Sequence, residues 1–116
     1  MFIEFCKSKI KNAVVTDAQL HYEGSITVDE KLLKAAEIIP GQKVQVLNVN
    51  TGERFETYAI KGKAGSGEVC LNGPAARLGV VGDKVLILNY VFVDPQEAKG
   101  LTTKLIMLDD RNRLKN

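Results

Sequence analysis

One histidine, two cysteines and no long apolar run leave most ready-made chemistries without their parts. His21 has no second imidazole to pair with, so an unpartnered structural histidine is the simpler reading. No P-loop is present, and no G-x-G-x-x-G opens a helix; "GKAGSG" lacks the closing Gly-Lys-Ser/Thr of a phosphate loop. Cys6 and Cys70 lie far apart among apolar neighbours, with no Cys or His at metal-ligand spacing, which fits buried thiols in a reducing cytosol and no metal site. No apolar stretch is long enough to span a bilayer, and "MFIEFCKSKIKN" mixes charge into a short apolar set, unlike an export signal. A soluble cytoplasmic protein without a membrane partner is expected. The net charge of +2, from 16 basic and 14 acidic residues, is weak for a nucleic-acid binder. A chain of 116 residues suffices for one domain with a core, spanning 1–116.

What is there is β-rich. Runs of β-branched residues between turn signals cover 13–16, 25–28, 43–49, 54–60, 68–71, 84–93 and 104–109, a pattern that suits a barrel or sandwich. Three short helices fit between them. Asp29 caps "EKLLKAAEI", which Pro40-Gly41 should end; "PAARL" follows Gly73; and Asp94-Pro95-Gln96-Glu97 carries an N-cap and a proline at the first helical position. "NTG" (50–52) and "KAGSG" (63–67) read as hairpin turns, and the tail "DDRNRLKN" as polar and loose. "PGQKVQVLNV" (40–49) and "VGDKVLILNY" (81–90) share Gly, Lys-Val, an aliphatic and Leu-Asn at equal offsets. Either turn-then-strand segments converge here, or the fold has two related halves.

The pair Gly24-Ser25 sits between "HYE" and a strand-like run. A serine hydroxyl can attack the preceding carbonyl, moving the acyl group from nitrogen to oxygen, if the backbone is strained and the developing oxyanion meets a donor. Loss of the serine α-proton then breaks the ester, and hydrolysis leaves a pyruvoyl group. Glycine before the serine allows unusual backbone geometry. A turn explains the dipeptide equally well in isolation.

Three strings together sharpen that reading: "HYEGS" (21–25), "NTGERFETYAI" (50–60) and "LNGPAARLGVVGD" (71–83). With this spacing the chain, from about Lys9 to Val93, resembles the pyruvoyl-dependent aspartate 1-decarboxylases. The resemblance implies a double-psi β-barrel of six strands with short helices, assembled as a homotetramer with active sites between subunits. It implies self-cleavage between Gly24 and Ser25, giving a short chain and a longer one that begins with pyruvoyl, the covalent cofactor. The reaction implied is decarboxylation of L-aspartate to β-alanine through a Schiff base, for pantothenate synthesis, with the pyruvoyl carbonyl as electron sink. Tyr58 matches the family's proton donor and Thr57 the residue that bonds the cleavage-site carbonyl during self-processing and contacts substrate afterwards. Lys9 and Arg54 match the cations for substrate carboxylates, and Asn72, Gly73, Pro74 and Ala75 match the segment lining the substrate. His21 and Tyr22 have a supporting place beside the cleavage loop. The family pattern more often has alanine at the position of Pro74 and histidine at that of Lys11; here one backbone N–H is lost at Pro74. On an ideal strand Arg54, Glu56 and Tyr58 share one face and Phe55 and Thr57 the other, so a bulge, an end of pairing or a backbone contact must bring Thr57 and Tyr58 to one site.

Two other readings stand beside this one. A noncatalytic β-barrel module could use a Lys7/Lys9/Lys11 edge on nucleic-acid phosphates, with steep salt dependence. An unprocessed, inactive homologue would leave the barrel intact. An accessory maturation protein is compatible with the enzyme reading.

Overall fold

The computed structural model describes residues 1–115, and in it the β-branched runs become eight strands. These are β1 Ile3–Val14, β2 Asp17–Gln19, β3 Ser25–Asp29, β4 Lys43–Asn48, β5 Arg54–Gly62, β6 Val69–Asn72, β7 Lys84–Val93 and β8 Lys104–Met107. They join in one mixed sheet in the order β2-β6-β3-β5-β4-β7-β1-β8. The two outer parts of this order belong to one stretch of chain. β1 pairs antiparallel with β7 and β2 pairs parallel with β6, as β5 pairs first antiparallel with β4 and then parallel with β3. Counting β1 and β2 as one interrupted strand, and β8 as an addition beside β1, leaves the six strands of a double-psi β-barrel. Inward-facing aliphatics Ile10, Ile26, Val28, Val44, Val46, Val85 and Ile87 fill it.

The repeated segment is structural. β4 and β7 run antiparallel with Val46 opposite Ile87, the very pair that the sequence repeat matches, so a local two-fold passes between them. Gly41 and Gly82 both take positive φ, 91° and 96°. The buried Asn48 donates to Leu78 O and to the Asp83 carboxylate, while its equivalent Asn89 donates to Glu37 O and accepts from Gln42. These partner positions in one half recur in the other at the same offset, with donor and acceptor exchanged between Asn48–Asp83 and Gln42–Asn89, which convergence of turn-strand segments does not require.

Several expectations need correction. The first helix, α1, is Glu30–Ala35; it ends at Ala36, before Pro40, because Glu37 turns into the left-handed region at φ 58°. The segment 63–67 is not a hairpin, since β3 lies between β5 and β6 in the sheet. The N-terminal segment is a strand twelve residues long that the sequence runs did not include before residue 13. β8 covers one edge of β1, pairing Ser8 to Lys11 with Lys104 to Met107, so the lysines of β1 do not form a free edge. Lys7 and Lys104 both pair with Glu37, at 3.4 and 3.5 Å. The tail is docked: buried Asn112 bonds Val14 N, Val14 O and Gly67 O, and Leu108 bridges to Leu114. Asn116 lies outside the described residues. The other two helical segments fall where expected, as a 3-10 turn over Gly73–Arg77 and as α2 over Pro95–Ala98, capped by the Asp94 carboxylate.

Asp29 does more than cap its helix. Its buried carboxylate accepts from Lys31 N, Gly65 N and Gly67 N at 2.8, 3.0 and 2.8 Å, and so pins the 63–67 crossover onto β3. Burial alone would raise its pKa, but the N–H bonds of Gly67, Lys31 and Gly65, with Arg113 nearby, hold it below the usual carboxylate value. A depressed folded-state pKa contributes stability above the unfolded value of about 3.9, and that stability is lost as pH falls through the folded value. Asp29→Asn must turn an NH₂ toward one of these donors, and should cost about 1–3 kcal/mol in denaturant unfolding at neutral pH. The difference from the parent protein should shrink as pH falls below about 4.

Candidate active site

The site begins where β3 begins. Ser25 is the first residue of β3 and lies opposite Asn72, the last residue of β6. Its side chain is wholly buried. The Ser25 hydroxyl donates to Glu23 O at 3.1 Å and accepts from Asn72 Nδ2 at 3.0 Å. Asn72 Nδ2 also donates to Thr27 Oγ1 at 2.8 Å, and Asn72 Oδ1 accepts from Cys70 Sγ at 3.2 Å. Cys70 is buried, which pushes its thiol up to about 11, with Asp17 and Glu68 adding to the shift.

The turn after Asn72 closes on the Gly24-Ser25 junction. Gly73 has φ 64°, and a Cβ there would sit 2.6 Å from Tyr22 O and 2.9 Å from Gly24 N. Only glycine lets the two backbones approach this closely. The positive φ beside the junction thus belongs to Gly73, while Gly24 itself takes none. Pro74 stacks its ring on Gly24, its Cδ 3.4 Å from where a Gly24 Cβ would be. As the residue entering the 3-10 turn, Pro74 occupies a position whose N–H has no partner within the turn.

On the other side stands β5. Exposure alternates along it, with Arg54, Glu56 and Tyr58 outward and Phe55 and Thr57 half-buried, as a strand requires. The β4–β5 register is continuous from Arg54 to Tyr58, so no bulge intervenes. Pairing of β5 with β3 starts only at Ala59, opposite Ile26. Extending that parallel register places Gly24 and Ser25 level with Thr57 and Tyr58, along a β5 edge that no strand among the described residues covers. The end of pairing therefore opens a groove of about 340 Å³ lined by Gly24, Phe55, Thr57, Tyr58, Pro74 and Ala75, among others. Tyr58 is 37 % exposed and sits opposite Lys43, which is paired with Glu56 at 3.3 Å.

Of the residues expected at the site, Gly24, Ser25, Thr57, Tyr58, Asn72, Gly73, Pro74 and Ala75 are assembled around one junction within this chain. Lys9 and Arg54 do not line the groove. Lys9 lies on β1, with β5, β4 and β7 between it and β3 in the sheet order. Arg54 begins β5, four residues before Tyr58. His21 and Tyr22 are exposed on the loop before Gly24. Thr27, Cys70 and the Glu23 carbonyl were not anticipated. Their only sequence signal is spacing by two from Ser25 or Asn72, which becomes meaningful once the β3–β6 register is known. Among the described residues no cluster of three His, Cys, Asp or Glu could hold a metal, and no helix is long and apolar enough to cross a membrane.

Known proteins resemble this chain over nearly its whole length. The family described as Aspartate decarboxylase matches residues 1–115. A protein named Aspartate 1-decarboxylase from Caldicellulosiruptor saccharolyticus is 55% identical over 114 residues, covering 98% of this chain and 89% of its own. Proteins of the same name from Thermoanaerobacter pseudethanolicus and Cytophaga hutchinsonii are each 54% identical, covering 92% and 98% of this chain and 92% and 99% of their own.

Proposed function

The chain belongs to the aspartate decarboxylase family, and from that premise we propose that it converts L-aspartate to β-alanine and carbon dioxide for pantothenate synthesis. The cofactor is a pyruvoyl group made from Ser25 after cleavage of the chain between Gly24 and Ser25. The observation that carries this reading is the buried Ser25 hydroxyl at an uncovered strand edge, with Thr57 and Tyr58 lining the adjoining groove.

Cleavage uses the chain's own groups. The Ser25 hydroxyl leaves Glu23 O, loses its proton and attacks the Gly24 carbonyl carbon. The peptide C–N bond breaks, and the nitrogen of residue 25 takes up a proton as an amine. Thr57, which lines the same groove as Gly24, donates to the Gly24 oxygen as charge develops there. Removal of the α-proton of residue 25 then drives out the ester oxygen, which departs as the Gly24 carboxylate. Addition of water and release of ammonia complete the change.

The position fits such a group. Residue 25 becomes the buried head of β3, fixed by the ladder to β6 and shielded from bulk water, with its neighbour Gly24 lining the groove. When formed, the group supplies a ketone that captures the substrate amine and a conjugated carbonyl that accepts the electrons released as the α-carboxylate leaves. Tyr58 delivers a proton to the α-carbon from the groove wall. The cations serve the carboxylate that stays: a forked Arg54 contact on the departing one would favour the ground state, where its charge is localised. Since Lys9 and Arg54 of the same chain do not line the groove, a second copy supplies them, in a homotetramer with sites between subunits. Both cysteines are free, in keeping with a reducing cytoplasm.

A nucleic-acid module is less well supported, because β1 is flanked on both edges and Lys7 is already paired. The test is product analysis with L-aspartate: one β-alanine per carbon dioxide is expected, and no β-alanine from fully cleaved protein would overturn the reading. Tyr58→Phe should cleave normally yet lose about 10²–10⁴-fold in turnover. Turnover equal to the parent would remove Tyr58 as the acid.

A further inference from the structure

Ser25, Thr27, Cys70 and Asn72 form a square on one face of the β3–β6 ladder. Ser25 is opposite Asn72 and Thr27 is opposite Cys70, and spacing by two keeps all four on the same side. Asn72 is the hub, because its amide reaches the other three. We propose that Cys70 and Thr27 are positioning residues for self-cleavage, holding the Asn72 amide with its NH₂ on Ser25 Oγ and its carbonyl turned away. The inference rests on the self-cleavage reading above and adds to it which groups orient the assisting amide.

The orientation matters at one step. When the ester formed at Ser25 breaks, the Cβ–Oγ bond opens, its electron pair goes to Oγ, and that oxygen becomes part of the Gly24 carboxylate. Asn72 Nδ2 stands 3.0 Å from this oxygen in the uncleaved chain, so its N–H meets the developing negative charge. A flipped amide would present carbonyl lone pairs to the same charge. Cys70 opposes the flip: its thiol donates to Asn72 Oδ1 at 3.2 Å, and sulfur is a poor acceptor for the NH₂ that would replace it. The thiol keeps its proton because burial raises its pKa to about 11. Thr27 Oγ1 takes the second hydrogen of the NH₂ at 2.8 Å, leaving the first for Ser25.

Packing and hydrogen bonding at residue 70 make opposite demands, which allows a direct test. Cys70→Val fills the site but has no donor, whereas Cys70→Ser is smaller and keeps one. Self-cleavage of freshly refolded full-length chain is followed by denaturing mass spectrometry, with thermal melting as a check on folding. Cys70→Ser should cleave within about twofold of the parent, and Cys70→Val about five- to tenfold more slowly, the scale of one neutral hydrogen bond. Thr27→Val should also slow, with Thr27→Ser restoring the rate; this pair carries the test if residue 70 variants do not refold. Cleavage at the parent rate in both valine variants, or serine variants slower than valine ones, would overturn the proposal. A parent chain that never cleaves would instead remove the self-cleavage reading, and this inference with it.

Discussion

Ser25→Ala yields a single uncleaved chain with no decarboxylation of L-aspartate above background. The substitution removes the attacking oxygen and, with it, the only source of the ketone. The fold should survive, because Ser25 heads β3 with its backbone still paired to β6, and Asn72 keeps its bond to Thr27. The loss of stability should be about 1–2 kcal/mol, from one buried hydrogen-bonding group. Measured together, an intact mass, a cooperative melt and an absence of β-alanine separate a chemical defect from a folding one. Appreciable turnover by this variant would defeat the assignment of Ser25 as the origin of the cofactor.

Gly73→Ala should be nearly as damaging for a different reason. Alanine at φ 64° is strained by about 1–3 kcal/mol, even where there is space. Here there is none, since the new Cβ would lie 2.6 Å from Tyr22 O and 2.9 Å from Gly24 N. Those two atoms belong to the loop that presents the cleavage junction, so relief of the clash must move Gly24 away from Asn72 and Thr57. Cleavage should slow by about 10²-fold or more, the penalty for misplacing reacting groups by roughly an ångström. Unfolding stability should fall by about 2–4 kcal/mol, adding overpacking to the strain. A Gly73→Ala protein that cleaves at the parent rate would show that the close approach of the two backbones is not needed for processing.

The parts of the site legible in the sequence are those carried by contiguous strings. Gly24-Ser25, Thr57-Tyr58 and Asn72-Gly73 are each adjacent pairs within a motif, and the structure gathers them around one junction. The alternation along Arg54 to Tyr58 was equally readable, because period two is a property of the strand itself. How Thr57 and Tyr58 both reach the groove was not, since it depends on where β3 stops covering β5. The Asn72 hub was hidden for a similar reason: its bond to Ser25 spans 47 residues and exists only through the β3–β6 register. The 63–67 segment misled because hairpin rules assume that successive strands pair, whereas this topology inserts β3 between β5 and β6. The tail looked loose because its polar residues find their partners far along the chain, Asn112 on Val14 and Gly67. The internal repeat, ambiguous as sequence, became decisive when Val46 and Ile87 proved to face each other.

The central claim is that this chain cuts itself between Gly24 and Ser25, and an intact-mass spectrum of the purified protein under denaturing conditions tests it most directly. The account predicts two species, one ending at Gly24 and one beginning at residue 25 and lighter by one ammonia than a serine-started chain. A single full-length mass that persists on prolonged warming would contradict it.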